Sequence, residues 1–292
     1  MSEPADVWIL SVPAHNPVEA EMLSAWLENA CDASPVEMEM VDQAIIWLEA
    51  YFEEETPAKL MMYALKDVFP GVEALVRHCG AKDWTTFWQH HFKPIEIGKS
   101  LFILPEWLRD TTEIPEGREV ILINPGLSFG TGSHFTTHFC LEMIDKLHAE
   151  GFAPKTMLDA GCGSAILSIA ARKFGWSNIL AVDFDAMALE QAAENLVLND
   201  VHEGVTLEVK DLTRTWFDEK YPLLAANLYG GLLMELAPKL VRACSGTMIL
   251  SGIRTIEADA VATIFGQLGA VEKICEADHE WCGMLLDCSG CY

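Results

Sequence analysis

Basic residues are scarce in this chain: 19 Lys and Arg stand against 44 Asp and Glu, a formal net charge of −25 over 292 residues. A protein that grips a phosphate backbone needs a basic face, so direct nucleic-acid binding is not expected. Also missing is any run of about 18 or more apolar residues, so no membrane span is expected. The first residues, Met1-Ser-Glu-Pro-Ala-Asp6, are acidic rather than a basic stretch ahead of an apolar block, so export is not expected either. The nine cysteines, an odd number scattered from Cys31 to Cys291, suit reduced thiols in the cytoplasm better than a disulfide framework. Internal repeats and low-complexity segments are lacking too.

What is present is core material. The chain is 51% hydrophobic, enough for one large domain and a smaller one. The acids concentrate toward the N-terminus, where residues 1–82 carry 15 Asp and Glu against 4 Lys and Arg. Such a field attracts a basic, lysine-rich protein partner. Solubility alone is the competing account of the same charge.

Residues 6–12 read as a strand and Pro17 to Ala30 as an amphipathic helix. Strand-like runs follow at Val36–Val41 and Ala44–Phe52. A helix is expected from Thr56 to Val68, with Thr56 as N-cap, Pro57 next and Pro70-Gly71 as the stop; Glu53-Glu-Glu55 ahead of it reads as a solvated loop. A strand at Glu73–His78 completes a β-α-β-β-α-β order, that of a small split-βαβ, ferredoxin-like α+β unit over residues 1–81. It carries no catalytic motif and is a candidate recognition module. Trp84, Phe87 and Trp88 sit at helical spacing in a linker region, residues 82–98.

Short strands at Ile95–Ile97, Ser100–Leu104 and Val120–Ile123 lead to the stretch from Asn124 to Thr137, Asn-Pro-Gly-Leu-Ser-Phe-Gly-Thr-Gly-Ser-His-Phe-Thr-Thr. Its glycines and hydroxyl side chains cannot build a core, but they let bare backbone approach a ligand closely. From Lys155 onward strands and helices alternate, which means a doubly wound, mostly parallel sheet with ligands at the carboxyl ends of its strands. The last two strands, Ala270–Ala277 and Glu280–Asp287, read as an antiparallel hairpin.

Three strand ends carry polar residues. Asp159-Ala-Gly-Cys-Gly-Ser164 is a strand, a glycine turn and a helix start, whose backbone N–H groups suit a polar or anionic ligand. A dinucleotide fingerprint would need glycine where Ile166 stands, so the looser turn of S-adenosylmethionine binders fits better. Asp183 lies 20 residues beyond Gly163 at the next strand end. A carboxylate there can accept both hydroxyls of a ribose, with Asp185 left to cap the following helix. Asn227 ends a further strand, where its amide can contact the amino-acid end of a cofactor or an incoming amine. His134 and His138 are four apart but lack a third metal ligand. Cys282, Cys288 and Cys291 have a C-x5-C-x2-C spacing that reads as bystander thiols more readily than as a zinc site, and no metal is expected.

These residues, with Asp83-Trp84, Trp88, Phe92-Lys-Pro94, Pro125-Gly-Leu127, Phe129-Gly-Thr-Gly-Ser-His-Phe-Thr-Thr137, Asp183-Phe-Asp185, Asn195, Asn199, Ala226-Asn227, Glu235-Leu-Ala-Pro238, Leu250-Ser-Gly252 and Glu280-Trp-Cys282, resemble the ribosomal protein L-eleven methyltransferase family, PrmA. The resemblance is close from Asp83 to the C-terminus. It implies a ferredoxin-like substrate domain, a linker helix and a class I methyltransferase domain, residues 99–292, that uses S-adenosylmethionine. It further implies that Thr136 and Thr137 hold the cofactor's methionine end and that Asp183 holds the ribose. Phe129, Gly130, Asp159, Gly161 and Gly163 would line the cofactor, and Asn227 would sit beside the reacting amine as the catalytic residue. Three positions depart from the pattern: Asn124 for Asp, Ala165 for Gly and Leu232 for Pro.

The expected activity is methylation of lysine, and of N-terminal amines, on a ribosomal protein by a monomeric enzyme. Another basic protein is the alternative substrate. A base methyltransferase would want an Asn-Pro-Pro-aromatic strand end, which Asn227-Leu-Tyr-Gly lacks. A relative that has lost catalysis is the third alternative.

Overall fold

The computed structural model of the protein describes residues 7–31, 36–39, 46–52, 54–79, 93–124 and 134–291. The chain divides into two compact units, Met1–Phe92 and Lys93–Tyr292. The aromatic linker residues Trp84, Phe87 and Trp88 lie outside the described residues. Among those described, no helix is long and apolar enough to cross a membrane.

The first unit follows the expected element order: β1 (Val7–Ala14), α1 (Pro17–Cys31), β2 (Val36–Glu39), β3 (Ile46–Phe52), α2 (Glu55–Val68) and β4 (Leu75–Cys79). Its antiparallel sheet runs β2-β3-β1-β4, so each β-α-β crossover skips one strand position. Leu10, Val12, Leu48 and Ala50 point alternately to one face and pack with Leu23, Leu27 and Leu65 of the helices. Ser11, Glu49 and Arg77 alternate with them on the other face, where Glu49 accepts from Ser11 at 2.9 Å and from Arg77 at 2.8 Å.

The α2 start corrects the sequence expectation. Thr56 is not the cap; the helix begins at Glu55, with Glu54 as N-cap. First-turn N–H groups have no partner inside a helix, so Pro57 fits one turn in as well as at the first position. Glu55 belongs to the helix rather than to a loop. There it favours the helix N-terminus and pairs with Lys59 at 2.7 Å.

The second unit opens with β5 (Ile95–Ile97), β6 (Leu101–Pro105) and β7 (Glu119–Ile123), which form a separate three-stranded sheet. It continues through α3 (Phe135–Ala149), β8 (Met157–Ala160), α4 (Ile166–Lys173), β9 (Ile179–Asp183), α5 (Ala186–Leu198), β10 (Val205–Val209), β11 (Tyr221–Asn227), α6 (Gly230–Ala243), β12 (Cys244–Arg254), α7 (Ala258–Gln267), β13 (Val271–Ala277) and β14 (Trp281–Asp287). Seven of these strands form one sheet in the order β10-β9-β8-β11-β12-β14-β13. It is parallel except where β14 runs antiparallel between β12 and β13, as the expected terminal hairpin requires.

Period-two alternation explains why both faces carry helices. On β11, Leu224 and Ala226 face a core with Leu233, Leu236 and Leu240 of α6 and Phe265 of α7. Leu223 and Ala225 face the opposite core, with Phe139 and Ile144 of α3, Ile169 of α4, and Ile103 and Ile121 of the small sheet. A central strand buried on both faces reads as a continuous apolar run, and β11 does.

Candidate functional site

Parallel strands direct their carboxyl ends to one edge of a sheet. Here β9, β8 and β11 are neighbours, so Asp183, the turn after Ala160, and Asn227 stand side by side along that edge. Two strand spacings separate the Asp183 and Asn227 backbones, roughly 10 Å, with the turn between them.

That turn corrects one expectation. Its amides are not held out for a ligand: Gly161 and Cys162 both donate to the Val182 carbonyl, at 2.8 and 3.0 Å, and Gly163 donates to Asp183 Oδ2 at 3.0 Å. What the turn supplies is shape. Gly161 has φ +77°, and a Cβ there would strike the Leu228 side chain. Leu228 is the residue after Asn227, so the turn and the β11 end are packed together.

Asp183 also accepts the Asp185 N–H through Oδ1 at 3.1 Å, while Asp185 caps α5 by accepting from Met187 N–H at 2.9 Å, as expected. Each Asp183 oxygen therefore has one backbone donor and one further acceptor site for a diol. Phe184, immediately after it, is 79% exposed and offers an apolar surface beside that carboxylate.

Asn227 is joined to a part of the chain about ninety residues away. Its Nδ2 donates to Thr136 Oγ1 and Thr137 Oγ1, each at 3.3 Å. Both threonines lie in the first turn of α3 and are buried. His134 is the N-cap, its Nδ1 accepting from Thr136 N–H. The three residues assigned to the cofactor's methionine end and the reacting amine thus form one hydrogen-bonded group. His138 pairs with Glu142 at 3.4 Å, and among the described residues no cluster of three metal-ligating side chains occurs. Tyr229, two residues beyond Asn227, is exposed.

Phe129 and Gly130 lie outside the described residues, as does the rest of 125–133. The roots of that segment are described. Asn124 N–H donates to Asn195 Oδ1 at 3.3 Å, and Asn195 Nδ2 donates to the Ser164 carbonyl at 3.1 Å. Asn199 donates to the Leu122 carbonyl at 2.6 Å and accepts from its N–H at 2.8 Å. Both asparagines are buried, Asn195 on α5 and Asn199 as its C-cap, and they tie the segment's root to the glycine turn. No role was assigned to them from sequence, although a polar pair at i, i+4 on an otherwise apolar helix face was a signal.

Asp159 sits behind the turn, buried, accepting from Ser168 Oγ at 2.6 Å. Burial pushes its carboxyl up to about 6, against the pull of the Ser168 hydrogen bonds. Between its unfolded value of about 3.9 and that raised one, the folded protein keeps a proton the unfolded chain has released. The resulting stability is fully present below about pH 3.9 and is lost as pH rises through about 6. Asp159→Asn should therefore match the parent in thermal unfolding near pH 4 and be more stable near pH 8 by roughly 1–3 kcal/mol. A pH-independent difference would refute this account.

The family departures now have physical readings. Ala165 has φ +60°, ψ +22° and is fully buried, so a left-handed position carries a side chain. Ala165→Gly should relieve strain of about 1–2 kcal/mol, partly offset by unfolded-chain entropy, for a net gain of about 0.5–1 kcal/mol in a denaturant titration. Asn124 is pinned through its backbone, by Asn195 and by Gln191 Nε2 at 3.1 Å, so its side-chain identity does not set these contacts. Leu232 lies in the first turn of α6, where its N–H donates to the Tyr229 carbonyl at 3.0 Å, a bond that a proline there would lack.

Cys282 lies apart from Cys288 and Cys291, its Sγ 3.5 Å from Cys275 Sγ, whereas Cys291 N–H donates to the Cys288 carbonyl at 3.0 Å. Burial pushes the Cys282 thiol up to about 12, which makes it a poor nucleophile.

The family model for "Ribosomal protein L11 methyltransferase (PrmA)" matches residues 11–287. A ribosomal protein L11 methyltransferase of Geotalea uraniireducens (strain Rf4) is 34% identical over 269 residues, covering 84% of each chain. One of Actinobacillus succinogenes is 33% identical over 282 residues, covering 90% of this chain and 93% of that one. The crystal structure of a ribosomal protein L11 methylase from Lactobacillus delbrueckii subsp. bulgaricus superposes with a TM-score of 0.60 at 29% identity, covering 67% of this chain and 98% of that one. With the match running through both units and over every strand end described above, the chain belongs to the ribosomal protein L11 methyltransferase family.

Proposed function

We propose that this protein moves methyl groups from S-adenosylmethionine to lysine amines, and to the N-terminal amine, of ribosomal protein L11. The observation that carries the reading is the sheet edge on which Asp183, the bare Gly161 turn and the Thr136–Thr137–Asn227 group follow one another. Asp183 suits the ribose diol, and Gly161 lets Leu228 pack down on the turn beside it. Thr136 and Thr137 suit the amino-acid end. Asp159 acts from behind by holding Ser168 and the start of α4. Residues 125–133, with Phe129 and Gly130, are assigned to the covering segment whose root Asn195 fixes.

The cofactor supplies an already activated methyl group, so the chain needs neither metal nor covalent intermediate; alignment supplies most of the rate. A lysine amine with a pKa of about 10.4 attacks only after losing a proton, and apolar walls favour the neutral form. Leu228 and Tyr229 are assigned as such walls, together with Phe129. Asn227 Oδ1 orients the amine while Nδ2 remains on the threonines. The acidic first unit is assigned to recognition of the basic substrate.

The test is transfer of radiolabel from S-adenosylmethionine to purified L11, followed by mapping of the labelled residues. Label on lysine side chains supports the reading. Label on RNA in a nuclease- and protease-controlled extract, or none at all, refutes it.

A further inference from the structure

The start of α3 is held from the C-terminal hairpin. The His134 ring stands edge-on to the Trp281 indole, with centroids 5.2 Å apart and planes at 69°. Trp281 begins β14 and is itself fixed: its N–H and that of Glu280 both donate to Asp278 Oδ1, at 2.6 and 2.8 Å. The Trp281 carbonyl accepts from Asp278 N–H at 2.9 Å, and the Glu280 carbonyl accepts from Thr255 N–H at 2.8 Å. The backbone that carries the indole is therefore fixed at the start of β14.

On its far side, His134 Nδ1 lies 2.8 Å from Thr136 Oγ1 and 3.4 Å from Thr136 N. A backbone N–H can only donate, so Nδ1 must be an acceptor and the imidazole neutral with its proton on Nε2. The Thr136 hydroxyl then donates to Nδ1 and accepts from Asn227 Nδ2. Proton order runs from Asn227 through Thr136 to His134, which fixes which end of the Asn227 amide faces the threonines. Its Oδ1 is left against Gly252, where a Cβ would stand only 3.1 Å away.

We propose that Trp281 is a positioning residue for methyl transfer, which by covering His134 keeps the imidazole an acceptor and so holds the Asn227 amide in one orientation. This rests on the reading of Asn227 as the group that orients the amine. Burial lowers the His134 pKa, while Glu280 and Asp278 on the hairpin act in the opposite direction. On α3 itself, the neighbouring titratable groups are His138 and Glu142, 3.4 Å apart. Removing the indole opens one side of His134 to water and leaves the two hairpin acids, so His134 gains a proton at higher pH. Protonated Nδ1 cannot accept from Thr136, and the proton order is lost.

The experiment follows kcat against pH, with saturating S-adenosylmethionine and L11, for the parent, Trp281→Ala and Trp281→Phe, with the His134 titration read by NMR without substrate. For Trp281→Ala, turnover should fall about threefold near pH 6.5 and match the parent to within about twofold near pH 8.5, the acid limb moving up by about one pH unit. Trp281→Phe should stay within about twofold throughout, because a ring still covers the imidazole. Should the Ala chain not fold, Trp281→Gln is the substitute, with the same expected displacement. A loss equal at every pH, or an unshifted His134 titration, overturns the proposal. A parent enzyme that labels no L11 refutes the proposed function instead, and the NMR titration then still decides whether Trp281 controls His134.

Discussion

Asn227→Ala should lower turnover on L11 about 100-fold or more while S-adenosylmethionine affinity stays within about threefold. The expectation follows from what each end of the side chain touches. Nδ2 is engaged with Thr136 and Thr137, which leaves Oδ1 as the end that the proposed function gives to the incoming amine. Truncation frees the two threonine hydroxyls, which can still meet the cofactor's amino-acid end directly, so binding changes little. The amine loses the acceptor that aims its lone pair, and misalignment of about 1 Å is enough for a loss of this size. Single-turnover rates and equilibrium binding measured on the same preparation give the comparison. Equal losses in rate and in affinity would show that Asn227 serves the cofactor alone.

Asp183→Ala should do the opposite, weakening S-adenosylmethionine about 100-fold, or ~2.7 kcal/mol, which is the scale of charge-assisted hydrogen bonds to a buried carboxylate. The mechanism has two parts. The ribose diol loses its acceptor, and the Gly163 and Asp185 N–H groups lose theirs, which loosens the turn as well. Competition by adenosine separates the two. Affinity for adenosine should fall as far as affinity for the full cofactor, and affinity for methionine should hardly change. If methionine weakens equally, the variant has collapsed the turn and the carboxylate has no specific claim on the ribose.

The sheet could be read from sequence because alternation of β and α segments leaves few topologies, and once the strands are placed their carboxyl ends are placed too. Asp183 and Asn227 were legible for that reason alone. The joining of Asn227 to Thr136 and Thr137 was not, since no local pattern reports a hydrogen bond across ninety residues. The glycine turn misled in a particular way: Gly161 and Gly163 were correctly located, but the Val182 carbonyl and Asp183 take up their amides. The small β5–β7 sheet was legible as strands but not as a separate sheet, because pairing between β6 and β7 depends on long-range register. Asn195 and Asn199 are visible in the sequence as a polar pair, but the Asn124 and Leu122 backbone groups they satisfy lie 71 and 77 residues away, beyond any local pattern.

Asn199 also has an effect remote from catalysis. Strand β7 is an edge strand of the small sheet, and an open edge invites a strand from another molecule. The side chain of Asn199 occupies both the N–H and the carbonyl of Leu122, so one amide plays the part of a neighbouring strand at that point. The edge is closed by a helix residue, and the chain is protected there against sheet-to-sheet aggregation without a charge or a proline in β7 itself beyond the terminal Glu119.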